Sequence, residues 1–97
     1  MKILVVDSDA STAEQLARML TREHEVLIAS DSEVVMLHVC RSRPRAVLFK
    51  RNAALLLAEQ ILTAMSRLGD LTLVVHDGTI SKEDIDCLAV ASDRRPC

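Results

Sequence analysis

Residues 2–9 read KILVVDSD, and this stretch decides the fold. Positions 3–6 are an unbroken apolar run in which β-branched residues dominate. A run of that kind predicts a strand buried on both faces, as at the centre of a parallel sheet. Asp7 and Asp9 follow directly, at the strand end where open α/β sheets bind their ligands. The chain therefore begins with the predicted middle of a sheet and the edge of a candidate site.

Three further strand patterns alternate with helical patterns along the chain. The predicted strands are Glu25–Ala29, Ala46–Phe49 and Leu71–Val75. The predicted helices are one with a capping box at Ser11 and Glu14, one with a capping box at Ser30 and Glu33, Ala53–Leu68, and one from Ser81 to Asp93. This alternation predicts a parallel α/β sheet with right-handed crossovers. No repeat or linker interrupts the sequence, so we expect a single domain over residues 1–97.

Apolar residues recur at helical spacing in the first two helices and are expected to face the sheet. In the first helix they are Ala13, Leu16, Ala17 and Leu20, and in the second Val35, Met36, Val39 and Cys40. Such spacing gives a helix one apolar face and one polar face.

The composition narrows the possible functions. Of the 97 residues, 49% are hydrophobic and 27% charged, which favours a folded core, and Phe49 is the one aromatic residue. A net charge of −2 and the lack of aromatic platforms argue against direct nucleic-acid binding. The two glycines are too few for a phosphate-binding loop, and the three cysteines match no metal spacing, so no cofactor is predicted. No apolar run reaches the length of a membrane span, and we expect a cytoplasmic protein.

Taken together, the pieces resemble the receiver domain of bacterial two-component response regulators, which has a CheY-like, flavodoxin-type fold. The matching stretches are KILVVDSD at the first strand, ASDSE before the second helix, RPRAVLFK across the third strand, LTLVVHD across the fourth, and AVASD near the end. The resemblance covers nearly all of the chain and implies about four βα units with strand order 2-1-3-4. A fifth strand and its helix are expected to be missing.

The resemblance also implies a phosphorylation site, and this sequence departs from it. In receivers, an aspartate at the end of the third strand accepts a phosphoryl group, and two acids after the first strand hold Mg²⁺. Asp7 matches the first acid, Ser8 stands at the second position, and Asp9 lies one position late. Lys50 occupies the position of the phosphoacceptor.

The phosphate-reading position after the fourth strand departs from the family as well. His76, followed by Asp77, stands where receivers carry a Thr or Ser. An ammonium in place of a carboxylate changes the local charge by two units, so Lys50 is expected to pair with Asp7 where the metal would sit. We therefore expect a degenerate, shortened pseudo-receiver that is not an enzyme and acts by protein–protein contact. It would dimerise or dock on another signalling protein in bacterial signal transduction or gene regulation, with any output domain absent from this chain.

Two other functions remain open. Asp7 or Asp9 could serve as an irregular acceptor in an active phosphorelay. Alternatively, a small enzyme or ligand-binding domain could use Lys50 with Asp7 and His76, since a desolvated lysine suits Schiff-base chemistry. A transition-metal site built from the acids and His76 is a weaker possibility, because Lys50 would lie among the ligands.

The predicted fourth strand has the sequence of an unprotected edge. LTLVV, residues 71–75, contains no charge, proline or bulge signal of the kind that keeps an edge strand from pairing. We expect a homodimer through this strand and the helix after it. The candidate dimer edge is formed by Leu71, Leu73, Val75, Ile85 and Leu88.

Overall fold

The computed structural model describes residues 2–78 and shows strands and helices in strict alternation. In chain order they are β1 (Lys2–Val6), α1 (Ala10–Leu20), β2 (Glu25–Ala29), α2 (Ser32–Ser42), β3 (Ala46–Lys50), a 3₁₀ turn (Ala53–Leu55), α3 (Leu56–Arg67) and β4 (Thr72–His76). The helix predicted from Ser81 to Asp93 lies outside the described residues. None of the described helices could span a membrane.

The four strands form one parallel sheet in the order β2-β1-β3-β4. At its carboxyl end Val6 pairs with Ala29 on one side and Phe49 on the other, and Phe49 pairs in turn with Val75. The predicted fold class is confirmed: this is a flavodoxin-like open parallel sheet with strand order 2-1-3-4. β1 and β3 are its inner strands, which explains why their sequences are apolar without alternation.

The helices divide between the two faces of the sheet and create two cores. Successive side chains of β1 and β3 point to opposite faces, so each strand contributes to both. The core under α1 contains Ile3, Val5, Ala13, Leu20, Ala46 and Leu48. The larger core, under α2 and α3, contains Leu4, Val6, Ala29, Val35, Val39, Val47, Phe49, Leu55, Ala58, Leu62 and Leu71.

Both predicted capping boxes name the wrong N-cap residue. The N-cap of α1 is Asp9, whose carboxylate accepts hydrogen bonds from the backbone N–H groups of Ser11 and Thr12. The N-cap of α2 is Asp31, which accepts from the Val34 N–H at 2.9 Å. In each case an aspartate lies close to the predicted serine, and a charged oxygen is the stronger acceptor for free helical N–H groups.

The inward face of α2 is narrower than predicted. Val35 and Val39 are buried and Met36 is half-buried, but Cys40 is exposed. Cys40 follows Val39 by one residue and therefore lies about 100° further around the helix. That rotation moves its thiol off the sheet and towards the groove between α2 and α3.

One residue of the predicted dimer edge is placed wrongly. Strand β4 begins at Thr72, and Leu71, which precedes it, is only 2% exposed because its side chain fills the core beneath α2 and α3. Leu73 and Val75 are half-buried and pack against that same core, so their side chains cover a face of the sheet. Ile85 and Leu88 lie outside the described residues.

The two assignments of the α2 N-cap, Asp31 and Ser30, predict different losses of stability on mutation. Asp31→Ala should lower the free energy of unfolding by about 1 kcal/mol, because it removes the acceptor for the Val34 N–H. Ser30→Ala, the matched control, should change it by only a few tenths. Urea unfolding followed by circular dichroism measures both, and a larger loss for Ser30→Ala would restore the predicted capping box.

Candidate functional site

The carboxyl ends of three neighbouring strands bring the predicted site residues together. Asp7 follows β1, Lys50 ends β3 and His76 ends β4, and Lys50 is directly paired with His76 in the sheet register. Parallel strands all present their carboxyl ends at one edge, so residues far apart in sequence meet there. The pairing of Lys50 with Asp7, expected from the sequence, is present.

Asp7 is the buried charge of the site. Its side chain is 3% exposed, and one carboxylate oxygen accepts the Asp9 N–H at 2.9 Å. The Lys50 ammonium lies 3.9 Å from the same oxygen. This distance is too long for a direct hydrogen bond, so the lysine stabilises the carboxylate by charge. A carboxylate buried without such a partner would be costly.

Lys50 is held on two sides. Its side chain is 30% exposed and reaches from the end of β3 towards Asp7. On the other side the loop after β4 folds over its stem, where a Cβ added to Gly78 would lie 3.5 Å from the Lys50 Cε. Gly78 has a φ of +120°, a conformation that L side chains rarely adopt. This glycine therefore lets the backbone turn close to the lysine.

Ser8 contributes to a link between loops. Its hydroxyl accepts a hydrogen bond from the Asn52 amide at 2.9 Å, which joins the loop after β1 to the loop after β3. The side-chain oxygen Oδ1 of Asn52 also caps the 3₁₀ turn by accepting from the Ala54 N–H. Sequence reasoning missed Asn52, although an asparagine shortly after a predicted strand and just before a helical run is a recognisable N-cap signal.

Asp9 faces the helix rather than the site. The Thr12 hydroxyl first, and then the N–H groups of Thr12 and Ser11, hold the pKa of its exposed carboxyl below the ordinary value. Its oxygen is occupied as the cap of α1. Asp9 lies one position later than the second acid of receivers, and here it has a structural role as the N-cap of α1.

His76 is half-buried at the end of β4. Its Nδ1 accepts the Gly78 N–H at 3.2 Å, which places the ring proton on Nε2, and this atom is buried without a partner among residues 2–78. Burial lowers the pKa of His76, and Lys50 lowers it further, against the opposing charges of Asp7 and Asp77. Asp77 itself is exposed.

A cavity of about 190 Å³ opens between α1 and this edge of the sheet. Its polar lining comes from Asp7, His76 and two residues that sequence reasoning did not single out, Thr12 and Gln15. The volume is below the range of ~300–1,000 Å³ that small-molecule sites usually have. Within the described part of the chain no group of three or more His, Cys, Asp or Glu side chains could hold a metal ion.

Comparison with known proteins does not assign this chain to a family. No protein-family model matches the sequence, and no curated protein matches it either. The interpretation of the site rests on its own residues.

Removing the charge of Lys50 should reveal the free-energy cost of burying the Asp7 carboxylate. Lys50→Ala should lower the free energy of unfolding by about 1–3 kcal/mol, less than the loss of a fully buried pair because Lys50 is partly exposed. The double variant Asp7→Asn/Lys50→Met should recover much of this loss. Arg51→Ala is the matched control, since its pair with Glu59 is exposed and worth little. Thermal melts that show no difference between Lys50→Ala and the parent would mean that water alone stabilises Asp7.

The lowered pKa of His76 should make stability depend on pH. Between the folded pKa and the ordinary value near 6.5, the unfolded chain binds a proton that the folded chain does not. The free energy of unfolding should therefore fall as the pH drops from 7 through 6.5 and on to the folded pKa. His76→Gln should flatten this slope in urea titrations at pH 5–7.5. An unchanged slope would assign the dependence to other groups.

Proposed function

We propose that this chain is a receiver-like module that works by protein–protein contact and without phosphorylation, in bacterial two-component-type signalling or transcriptional regulation. One observation carries the proposal. The Lys50 ammonium stands 3.9 Å from the buried Asp7 carboxylate, at the place where a receiver would hold Mg²⁺ beside its acceptor aspartate. The strand order and the position of this edge support the comparison with receivers.

The chemistry of phosphoryl transfer supports the absence of phosphorylation. An acceptor must be a free carboxylate, and the charge that develops on the transferred group must be stabilised, usually by a metal. Lys50 has no carboxylate. Asp7 is buried beside an ammonium, and Asp9 is engaged in capping α1. A divalent cation approaching Asp7 would also meet the charge of Lys50 at close range.

The same geometry disfavours the two other functions. A phosphorelay through Asp7 or Asp9 would need one carboxylate to leave its present partner. An enzyme using Lys50 with Asp7 and His76 would need room for a substrate, and the cavity beside Asp7 is small. A module of this kind acts through its surface, and we propose a second copy or another cytoplasmic signalling protein as partner.

Exposure to a small-molecule phosphoryl donor tests the proposal. After incubation with acetyl phosphate and Mg²⁺, intact mass spectrometry should show no phosphorylated protein, because Asp7 is paired with Lys50 and Asp9 caps α1. A receiver with a complete set of acids serves as the positive control. Stoichiometric phosphate on Asp7 or Asp9 would contradict the proposal and restore the phosphorelay.

A further inference from the structure

Helix α3 has two apolar faces, and only one of them is needed for the core. The inner face contains Ala58 and Leu62, which are buried. The outer face is a stripe formed by Leu57, Ile61, Ala64 and Leu68, all exposed. Steps of four, three and four residues bring them onto one side of the helix. We call these four residues the α3 stripe.

The exposure of the stripe is high for large apolar residues. Leu57 is 67% exposed, Ile61 38% and Leu68 78%. Among the described residues, the other large apolar side chains exposed to a comparable degree are Met19, Leu37 and Leu56. Leu56 is on the same helix but lies about 100° around it from Leu57. Single exposed leucines are ordinary, but a contiguous apolar patch usually marks a contact.

A groove continues the stripe towards α2. A cavity of about 580 Å³ lies between the two helices, and Ile61 belongs both to its lining and to the stripe. Met36, Cys40 and Met65 line it as well. Methionine side chains adapt to many shapes, so the walls can accept side chains from another molecule. Stripe and groove together form one apolar surface on the α2–α3 face.

The spacing of the stripe is the same in both directions along the helix. In an antiparallel pair of α3 helices, Leu57 of one copy faces Leu68 of the other, and Ile61 faces Ala64. Placing a large side chain against a small one lets two helices approach closely. A stripe of this kind is complementary to itself, as the interface of a two-fold dimer must be.

The charges on α3 also favour an antiparallel pair. Glu59 is the helix's one acid, and it lies on the side away from the stripe, where it pairs with Arg51 at 3.4 Å. No carboxylates would therefore meet across the two-fold axis. Antiparallel helices place opposite ends of their dipoles together, and Asp70, just beyond α3, comes level with the first turn of the other copy, whose N–H groups attract a carboxylate.

We propose that the α3 stripe is the interface of a homodimer in which two copies pack α3 against α3 in antiparallel order. The proposal rests on the proposed function and names its partner, a second copy, and its surface. That surface is distinct from the edge formed by β4. Two copies would bury roughly 1,000 Å² in total, at the low end of specific interfaces, so the dimer should dissociate on dilution.

Charge substitutions in the stripe give the direct test. Ile61→Lys and Ala64→Glu should each shift the full chain, kept reduced, from dimer to monomer in sedimentation velocity at tens of micromolar. An equimolar mixture of the two variants should recover dimer, because the ammonium introduced in one copy then faces the carboxylate introduced in the other. Met19→Lys is the matched control, the same kind of change at an exposed apolar residue on α1, and should leave the parent's dimer intact. Thermal melts confirm folding, and Leu57→Gln/Leu68→Gln replaces any variant that fails to fold.

The outcomes separate this inference from the proposed function. A parent chain that stays monomeric overturns the dimer, and variants that stay dimeric overturn the α3 stripe as its interface. Variants that are monomeric and remain so when mixed overturn the antiparallel order. In each of these cases the phosphorylation experiment still decides the proposed function independently, because none of the substitutions touches Asp7 or Lys50.

Discussion

The structure depends most on one constraint: the carboxylate of Asp7 is buried at the end of the central strand and must have a positive charge beside it. The strand continues directly into this residue, so the carboxylate cannot reach solvent without disturbing β1. In a metal-dependent receiver a divalent cation meets this need. Here the ammonium of Lys50, at the end of the neighbouring strand, supplies the positive charge. The loop that contains Gly78 lies close to the stem of this lysine. A covalently attached charge cannot be exchanged, and we propose that it holds the site in one state.

Topology makes this substitution possible. Because β1 lies between β2 and β3, the last residue of β3 is always close to the first residue after β1. The same register places His76 next to Lys50 on the far side. Under the proposed function, a site fixed in one state leaves the surface as the place where the molecule acts. Among the described residues, α3 carries a stripe of exposed apolar side chains, while its inner face holds the helix on the sheet.

Much of the fold could be predicted because its signals are local and redundant. The run at positions 3–6 and the alternation of strands and helices predicted the parallel sheet, and the resemblance to receivers supplied its strand order. The pair of Lys50 and Asp7 was predicted from the resemblance to receivers, which sets Lys50 at the acceptor position beside Asp7. The caps were misplaced because Asp9 and Asp31 compete with nearby serines, and spacing cannot say which oxygen wins. Leu71 was misplaced because residues 71, 73 and 75 share one face of the sheet, and that face is covered by α2 and α3 rather than open at an edge. The α3 stripe was not predicted because apolar residues occur on two sides of this helix. The sequence pattern therefore does not show which side faces the sheet and which faces solvent.

The central claim is that Lys50 takes the place of a metal beside Asp7, and an NMR titration with Mg²⁺ measures it most directly. The account predicts that the backbone amide signals of Asp7, Asp9 and Lys50 do not move as Mg²⁺ is raised to millimolar concentration. In Lys50→Asp, where two carboxylates would face each other, the same signals should shift and saturate. Saturable shifts at Asp7 in the parent chain would show that a cation still enters the site, and the account would be wrong.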